Sequence, residues 1–461
     1  MDLKRNILRV FSANFLTMIS SILIGFVVPA ILSVESYALV KTYVFYVSYI
    51  GFLHFGYIDG LYIKYGGVEP EDVDYQVLKN EHLLFLLMQA IVTVVLLIIA
   101  FVTKDLILFL MAVSIIPINA STFHKHFYQA TGQFDQYAKV SYLYTVVYLI
   151  MNIGLALVFR SESYILYCLT TLVANLAVFL VVEYQFFKNY RQIKSKLDIQ
   201  LLSHIKIGVF ILIGNLSVML FYAIDRWFIK LFFTVEDFGY YSFAISMLNI
   251  INVLVSAISV TFYNYLSKGE DEEKLKKLKS YFLMLGGLAS IGYFALAAVV
   301  SVMLQKYEPA LNVIAISFAA YPYMIVINAL YVNLYKTRKD EKKYVKVVFK
   351  MVVLAAIYNS ILLAVFKTPE AIAWGTTLSF ITWYFYSLKD FSYFKSHIAE
   401  LLYLSILAIS FIYCAYELNW FVGGCTYLLI YIVSSLVTYR TLIVDELTTH
   451  TVRVRSLFLK R

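Results

Sequence analysis

This sequence has few charged residues. Only 15% of its 461 residues are Asp, Glu, Lys or Arg, whereas 61% are hydrophobic. A soluble protein of this length could not keep so much apolar surface away from water. The charged residues are also clustered, and they leave uncharged stretches of 25 to 30 residues at 10–34, 238–267, 280–305 and 309–335. As a helix, each stretch can cross about 30 Å of hydrocarbon at about 1.5 Å per residue.

These stretches also lack the alternation of apolar and polar residues that barrel strands have, so a β-barrel is excluded. An open sheet is excluded because its edge would leave unpaired backbone groups in lipid. We therefore predict an all-α polytopic membrane protein. Cysteine is scarce: Cys168, Cys414 and Cys425 lie in predicted spans with no spacing typical of a metal site, so we expect small buried apolar residues and no metal. Long loops are absent too, which predicts a protein that is not an enzyme. The apolar N-terminal run is longer than the core of a cleaved signal, so it is interpreted as a retained first span.

Fourteen candidate spans lie between the charge clusters. Their approximate limits are 8–33, 37–65, 82–103, 105–128, 137–159, 163–187, 205–231, 236–266, 280–305, 309–335, 345–366, 370–388, 399–416 and 419–440. With the N-terminus placed inside, 31 of the 38 Lys and Arg residues fall in inner segments. By the positive-inside rule, this bias predicts that both termini are cytoplasmic. The net charge of +9 is then a topology signal and does not indicate a nucleic-acid partner.

The two halves of the chain resemble each other. A shift of 201 residues without gaps aligns "LSVESYALV" at 32–40 with "FTVEDFGYY" at 233–241, and it places Asn14 on Asn215. Six spans per copy is an even number, so the copies have the same orientation, as in transporters built from parallel repeats around a central cavity. We predict a six-helix bundle at 1–200, a second at 201–395, two additional helices at 396–441 and a basic cytoplasmic tail at 442–461. The tail's "VRVRSLFLKR" at 452–461 is typical of a segment on the membrane surface.

The order of these features resembles a known family. The matching pieces are "NILRVFSANFL", "SVESYALVKTYVFYVSYIGFLHFGYIDGLYIKYGG" and "IGNLSVMLFYAIDRWFIKLFFTVEDFGYYSFA". Together with the span count, they are similar to the polysaccharide flippases of the multidrug/oligosaccharidyl-lipid/polysaccharide exporter superfamily, which serve O-antigen, capsule and exopolysaccharide synthesis. The resemblance covers essentially the whole chain, and its motifs consist of small residues, aromatic residues and charges at helix ends.

That resemblance implies a flippase in a bacterial or archaeal cell (inner) membrane. By alternating access it would carry a polyprenyl-pyrophosphate-linked oligosaccharide from the cytoplasmic to the outer leaflet. The implied partners are that lipid-linked substrate, membrane lipids, and a polysaccharide polymerase with its export machinery. No cofactor is implied, and coupling to a proton or sodium gradient stays open.

Polar side chains inside predicted spans are the candidates for a substrate cavity, because such groups are costly in lipid and tend to face cavities. Cations suit the pyrophosphate, with arginine matching its geometry best, and amides suit sugar hydroxyls. The predicted cavity residues are Arg9, Asn14, His54, Asn215, Arg226, Asn249 and Asn252.

Alternatives remain for several of these residues. In a straight second span His54 would lie roughly 15 Å from Lys64, near mid-bilayer. There it could bind the substrate, carry a proton or pack as a neutral histidine. Arg226 could instead form an outer rim pair with Asp225. Arg9 and the cluster at 124–126, His-Lys-His, could attract the anionic head or simply follow the positive-inside rule.

Three charged residues are candidates for a gate or for ion coupling, namely Asp59, Lys64 and Asp225. Asp59 lies between Gly56 and Gly60, a spacing that predicts close contact with another helix. The alternatives are a structural salt bridge for Asp59 and a snorkelling interfacial lysine for Lys64.

Three other functions compete with the flippase. A membrane enzyme such as a glycan polymerase is disfavoured by the lack of a long outer loop. A cation-coupled multidrug antiporter of the same superfamily would favour buried carboxylates, but the first span has no acid between Arg9 and Glu35. A non-transporting subunit of a glycan-assembly complex is the third alternative.

Overall fold

The computed structural model describes residues 3–194, 196, 198–266, 269 and 271–444. It divides into two compact units, Met1–Met219 and Leu220–Arg461. The described part of the first unit is helical, with no strand. Its helices are α1 (Leu3–Ile31), α2 (Val34–Val47), α3 (Tyr57–Tyr65), α4 (Tyr75–Thr103), α5 (Leu106–Ala130), α6 (Phe134–Ile153), α7 (Tyr164–Asn189) and the first part of α8 (Ser203–Phe232).

The described residues of the second unit form the end of α8 and ten further α-helices, with no strand. These helices are α9 (Val235–Leu266), α10 (Glu272–Ser290), α11 (Gly292–Met303), α12 (Ala310–Phe318), α13 (Tyr321–Val326), α14 (Val332–Thr337), α15 (Glu341–Phe366), α16 (Pro369–Ser387), α17 (Ile398–Glu417) and α18 (Trp420–Thr438). In the part of the chain that the structure describes, each unit has one π-helical turn, at Gly154–Val158 and Ile327–Tyr331.

Each predicted span corresponds to a helix, a helix pair or a helical series. Among the described residues, ten helical segments are long and apolar enough to cross a membrane, and bent helix pairs raise the number to twelve. The remaining two predicted spans correspond to α9 and α16. The prediction of an all-α polytopic membrane protein is confirmed, whereas the division at 200, 395 and 441 stays a prediction.

Aspartate and asparagine side chains begin several helices where short loops end. Asp74 Oδ1 accepts hydrogen bonds from the backbone N–H groups of Gln76 and Val77 at 2.9 and 3.2 Å. Asp105 caps α5 in the same way, with Oδ1 3.0 Å from the N–H of Leu108. A helix otherwise leaves its first N–H groups without partners, so these caps fix where the spans begin.

The expectation of a straight second span is wrong. The structure bends by 53° between 34–52 and Tyr57–Tyr65, because Phe55 and Gly56 have φ values of 55° and 87°. The predicted tenth span bends by 50° between α12 and the series that begins at Tyr321, with Pro322 in the first turn. Proline fits there because its missing N–H has no helical partner at this position.

The prediction for cysteine holds for two of three residues. Cys168 and Cys414 are buried, but Cys425 is exposed on α18. In a helix that crosses lipid, an outward-facing thiol still contacts an apolar medium. The predicted surface segment at 452–461 lies outside the described residues.

Candidate functional site

The break in the second span holds His54 and Asp59 in a local turn. His54 Nδ1 accepts a hydrogen bond from the Gly56 N–H at 3.1 Å. His54 Nε2 lies 3.9 Å from Asp59 Oδ2, which places a base beside an acid in a largely buried setting. The turn thus brings together one predicted cavity residue and one predicted gate residue, and both assignments stay predictions.

Two side-chain amides satisfy the carbonyls that this break exposes. Gln89 Nε2 on α4 donates to Leu53 O at 3.3 Å, and Asn119 Nδ2 on α5 donates to Ile50 O at 3.2 Å. Asn119 Nδ2 also donates to Gln89 Oε1 at 2.7 Å. Both amides are fully buried. An unpaired carbonyl in lipid costs several kcal/mol, so these bonds stabilise the bent conformation.

The predicted close contact at the glycine pair is confirmed. A Cβ atom added to Gly56 would lie 2.6 Å from the backbone of Gly208 on α8, and one added to Gly60 would lie 2.2 Å from His204 O. A Cβ added to Gly208 would lie 1.9 Å from Gly56 O. The backbones of α3 and α8 therefore touch here, and no larger residue fits at the three positions.

Lys64 is not simply a snorkelling lysine, because its ammonium binds the fully buried Glu81 on α4. His204 Nε2 lies 2.7 Å from Glu81 Oε1, and the Tyr65 hydroxyl donates to Glu81 Oε2 at 2.8 Å. We call Lys64, Tyr65, Glu81 and His204 the buried-charge network. It joins α3, α4 and the start of α8 through one carboxylate, so the cost of burying that charge is offset by three partners.

Four of the predicted residues line one cavity in the second unit. The cavity has a volume of about 490 Å³, and we call it the second-unit cavity. Asp225 and Arg226 come from α8, whereas Asn249 and Asn252 come from α9. The other polar lining residues are Tyr222, Ser259, Ser317, Asn328, Lys336, Thr376 and Thr377.

Asp225 is only 3% exposed, so it is not an open rim residue. The Tyr241 hydroxyl donates to its Oδ2 at 2.9 Å, and the Arg226 N–H donates to its Oδ1 at 2.6 Å. Arg226 Nη2 also lies 3.4 Å from Tyr222 O. This end of the cavity thus combines a buried carboxylate with a guanidinium.

Asn328 is held by its neighbours in the same cavity. Its Oδ1 accepts a hydrogen bond from the Tyr222 hydroxyl at 2.8 Å, and its backbone carbonyl accepts one from Ser259 at 2.9 Å. It lies on the π-helical turn Ile327–Tyr331. Such turns are rare and often occur at functional sites. Lys336, near the end of α14, adds a second cation to the lining.

The other predicted cavity residues lie elsewhere in the first unit. Arg9 pairs with Asp135 at 2.8 Å between Nη1 and Oδ1. Asn14 and Asn215 are exposed. Their roles stay predictions.

An apolar groove also lies in the second unit. It has a volume of about 540 Å³ and runs between α16 and α17 beside α13. Trp374 and Ile381 form one side, whereas Ile409 and Tyr413 form the other. Glu417 is its one charged lining residue.

Outside the spans, an electrostatic cluster holds the loop after α16. Asp390 accepts from Lys343 Nζ at 2.8 Å and from the Tyr335 hydroxyl at 2.7 Å. Burial alone would raise the pKa of the Asp390 carboxyl, but these two partners and nearby charge hold it below its usual value.

Sequence reasoning missed Glu81, Asn328 and Lys336. Glu81 lies just before the predicted third span and beside other charged residues, a place where a carboxylate is normally solvated. Asn328 lies within the predicted tenth span, but an asparagine in a span does not by itself distinguish a cavity lining from helix packing. Lys336 begins a basic run directly after that span, a pattern typical of an inner loop.

Comparison with known proteins places the fold. No family model matches the sequence, and no curated protein matches it. The structure is similar to a lipid II flippase, MurJ, in an inward closed conformation, with a TM-score of 0.68, 13% identity, and coverage of 94% of this chain and 99% of that one. It is also similar to an inward-facing multidrug resistance MATE family transporter of the MOP superfamily, with a TM-score of 0.56, 11% identity, and coverage of 81% and 94%. The chain thus shares the fold of these two proteins, the second of which is named as a member of the MOP superfamily.

Proposed function

We propose that this protein is a flippase for a polyprenyl-pyrophosphate-linked oligosaccharide. By alternating access it moves the substrate from the cytoplasmic to the outer leaflet for cell-surface polysaccharide synthesis. The observation that carries the proposal is the polar lining of the second-unit cavity.

The lining matches the chemistry of the substrate head. Arg226 and Lys336 provide cations for a pyrophosphate, and guanidinium groups bind its oxygens in a bidentate manner. Asn249, Asn252 and Asn328 provide amides that both donate to and accept from sugar hydroxyls. The volume of about 490 Å³ lies in the usual range of ligand sites, roughly 300–1,000 Å³.

The apolar groove supports the lipid part of the proposal. Its aromatic and aliphatic walls suit a polyprenyl chain, which would pass from lipid into the groove through van der Waals packing and without exposing apolar surface to water. The similarity to a lipid II flippase supports a lipid-linked substrate as well.

A proteoliposome assay tests this function directly. The purified protein is reconstituted with a fluorescent lipid-linked oligosaccharide, and accessibility of the label to an added quencher reports its leaflet. We expect transfer above that of empty vesicles, and reduced transfer for Arg226→Ala. The matched control is Arg191→Ala, at an exposed loop position. Equal transfer by Arg226→Ala and Arg191→Ala would exclude the cavity as the head-group site.

A cation-coupled multidrug antiporter is the second candidate. The buried carboxylate of Asp225 in the cavity favours it, because such antiporters exchange a cation against a charged substrate. The similarity to a MATE transporter also supports it. In the same vesicles, ion-driven movement of cationic dyes that is abolished by Asp225→Asn, without lipid transfer, would identify the antiporter.

The remaining assignments belong to this proposal. The protein works in a bacterial or archaeal cell membrane with both termini cytoplasmic, and proton or sodium coupling uses Asp225 or Asp59. A polysaccharide polymerase would use the product in the outer leaflet.

A further inference from the structure

A buried cluster in the first unit lies outside the features described so far. It consists of His82 on α4, His124 on α5 and Glu183 on α7, and we call it the His–His–Glu trio. His82 Nε2 lies 2.9 Å from Glu183 Oε2, and His124 Nε2 lies 3.0 Å from Glu183 Oε1. The side chain of His124, which the sequence places in a cytoplasmic basic cluster, is only 1% exposed.

We propose that the His–His–Glu trio binds a zinc-like divalent transition-metal ion. One ligand atom from each residue lies within 4.8 Å of the others. Two imidazoles and one carboxylate are a common ligand set for Zn²⁺, and a water completes such three-ligand sites. With metal–ligand bonds of about 2.0–2.1 Å, tetrahedral ligand atoms lie about 3.3 Å apart. The two N–O distances use different oxygens of Glu183, so with both oxygens on the ion they need to widen by only a few tenths of an ångström.

The surroundings favour a dry and rigid site. Aromatic rings pack around the trio: the ring centroids of Phe123 and Phe186 lie 4.8 and 4.9 Å from that of His82. The two imidazole centroids are themselves 4.9 Å apart. Rings packed in this way restrict side-chain rotation, so the ligands are held close together before an ion arrives.

Charge also favours a cation at this position. An ionised Glu183 in a buried place is costly without a compensating positive charge, which a protonated imidazole or a bound cation can supply. Hydrogen bonding alone uses one nitrogen of His82, whereas its Nδ1 has no hydrogen-bond partner among the described residues. A glutamine would provide the same single donor, so hydrogen bonding to Glu183 does not by itself require histidine.

Bound metal would join three helices near one end of the first unit. His82 lies seven residues after the start of α4, and His124 and Glu183 lie six residues before the ends of α5 and α7. One ion would then hold α4, α5 and α7 at a fixed separation while other parts of the protein move. This inference does not depend on the transported substrate.

The test measures zinc in the purified full-length protein. The protein is stripped with a chelator in detergent, loaded with Zn²⁺, desalted and analysed by mass spectrometry. We expect stoichiometric zinc and a higher melting temperature after loading. The absence of bound zinc in the natural sequence, or of any change in melting temperature, would overturn the proposal without reference to a variant.

Two substitutions separate a metal site from a hydrogen-bonded cluster. His82→Gln keeps a donor to Glu183 but removes a metal ligand, whereas His82→Cys provides a thiolate ligand in place of that donor. We expect zinc in His82→Cys and little in His82→Gln. His397→Gln, at a helix start in the second unit, is the matched control and should retain zinc. Equal zinc in His82→Gln and the natural sequence would refute the assignment.

Discussion

Gly208→Ala should separate two helices that now touch. A Cβ at this position would lie 1.9 Å from Gly56 O, whereas real Cβ atoms essentially never come within 3.0 Å of another heavy atom. The clash is with backbone and cannot be relieved by side-chain rotation, so α8 must move from α3 by about 1.1 Å. His204 on α8 makes a hydrogen bond of 2.7 Å from Nε2 to Glu81 Oε1. A movement of this size in the direction of that bond would stretch it beyond hydrogen-bonding distance.

The expected cost follows from these two losses. Overpacking costs about 1–3 kcal/mol, and losing a hydrogen bond to a charged group costs about 1.5–3 kcal/mol. The better helix propensity of alanine returns about 1 kcal/mol. We therefore expect Gly208→Ala to lower the free energy of unfolding by about 1.5–5 kcal/mol.

Unfolding of the detergent-purified protein by added SDS measures this loss. Gly154→Ala is the matched control, because a Cβ there meets nothing within 4 Å. It should be neutral, or stabilising by up to about 1 kcal/mol. If Gly208→Ala unfolds at the same SDS fraction as Gly154→Ala, the close approach of α3 and α8 does not exist.

Three further predictions concern charged groups. Glu81→Gln should lower the free energy of unfolding by about 1.5–3 kcal/mol, because the hydrogen-bond donors around Glu81 lose a charged acceptor. Glu69→Gln, at an exposed position, is the control and should leave the free energy of unfolding unchanged. If both variants unfold at the same SDS fraction, the prediction is wrong. Lys279→Met should cost about 3–5 kcal/mol by leaving Glu400, now 2.7 Å from the ammonium, without its cation. The double variant with Glu400→Gln should recover part of that loss in the same assay, and a purely additive result would refute the pairing. Asp390 has a lowered pKa in the folded protein, so its stabilising effect is complete above the usual aspartate pKa and disappears as pH falls through the folded value. Asp390→Asn should therefore reduce the melting temperature at neutral pH, and the difference should shrink in acid; a constant difference would exclude the linkage.

The sequence predicted the helices well because hydrocarbon allows few alternatives. Uncharged runs and basic inner segments locate spans independently of tertiary contacts, so all fourteen have helical counterparts. The break at Phe55 was not predictable, because it depends on Gln89 and Asn119, which are 34 and 64 residues away in the chain. A local sequence pattern cannot show which distant side-chain amide will donate a hydrogen bond to a given carbonyl.

The candidate site shows the same division. Asp225 and Arg226 were selected because charge inside a span is rare, and they do line a cavity. Glu81, His82 and Glu183 were missed because they lie near span ends, where charged residues are normally solvated. Their burial comes from neighbouring helices that pack over them, which only the folded chain shows.

The bent second span also constrains when its bend can form during insertion of the protein into the membrane. The Leu53 carbonyl takes its donor from Gln89, and the Ile50 carbonyl, which already accepts from the Leu53 N–H, takes a second donor from Asn119. Both amides belong to later spans, so a bend formed before those spans are synthesised would leave the Leu53 carbonyl unpaired in lipid. The early segment is therefore more stable as one straight helix. The turn around His54 then forms only after α4 and α5 have entered the bilayer. Ribosome-bound intermediates cut before residue 119 should therefore lack the bend.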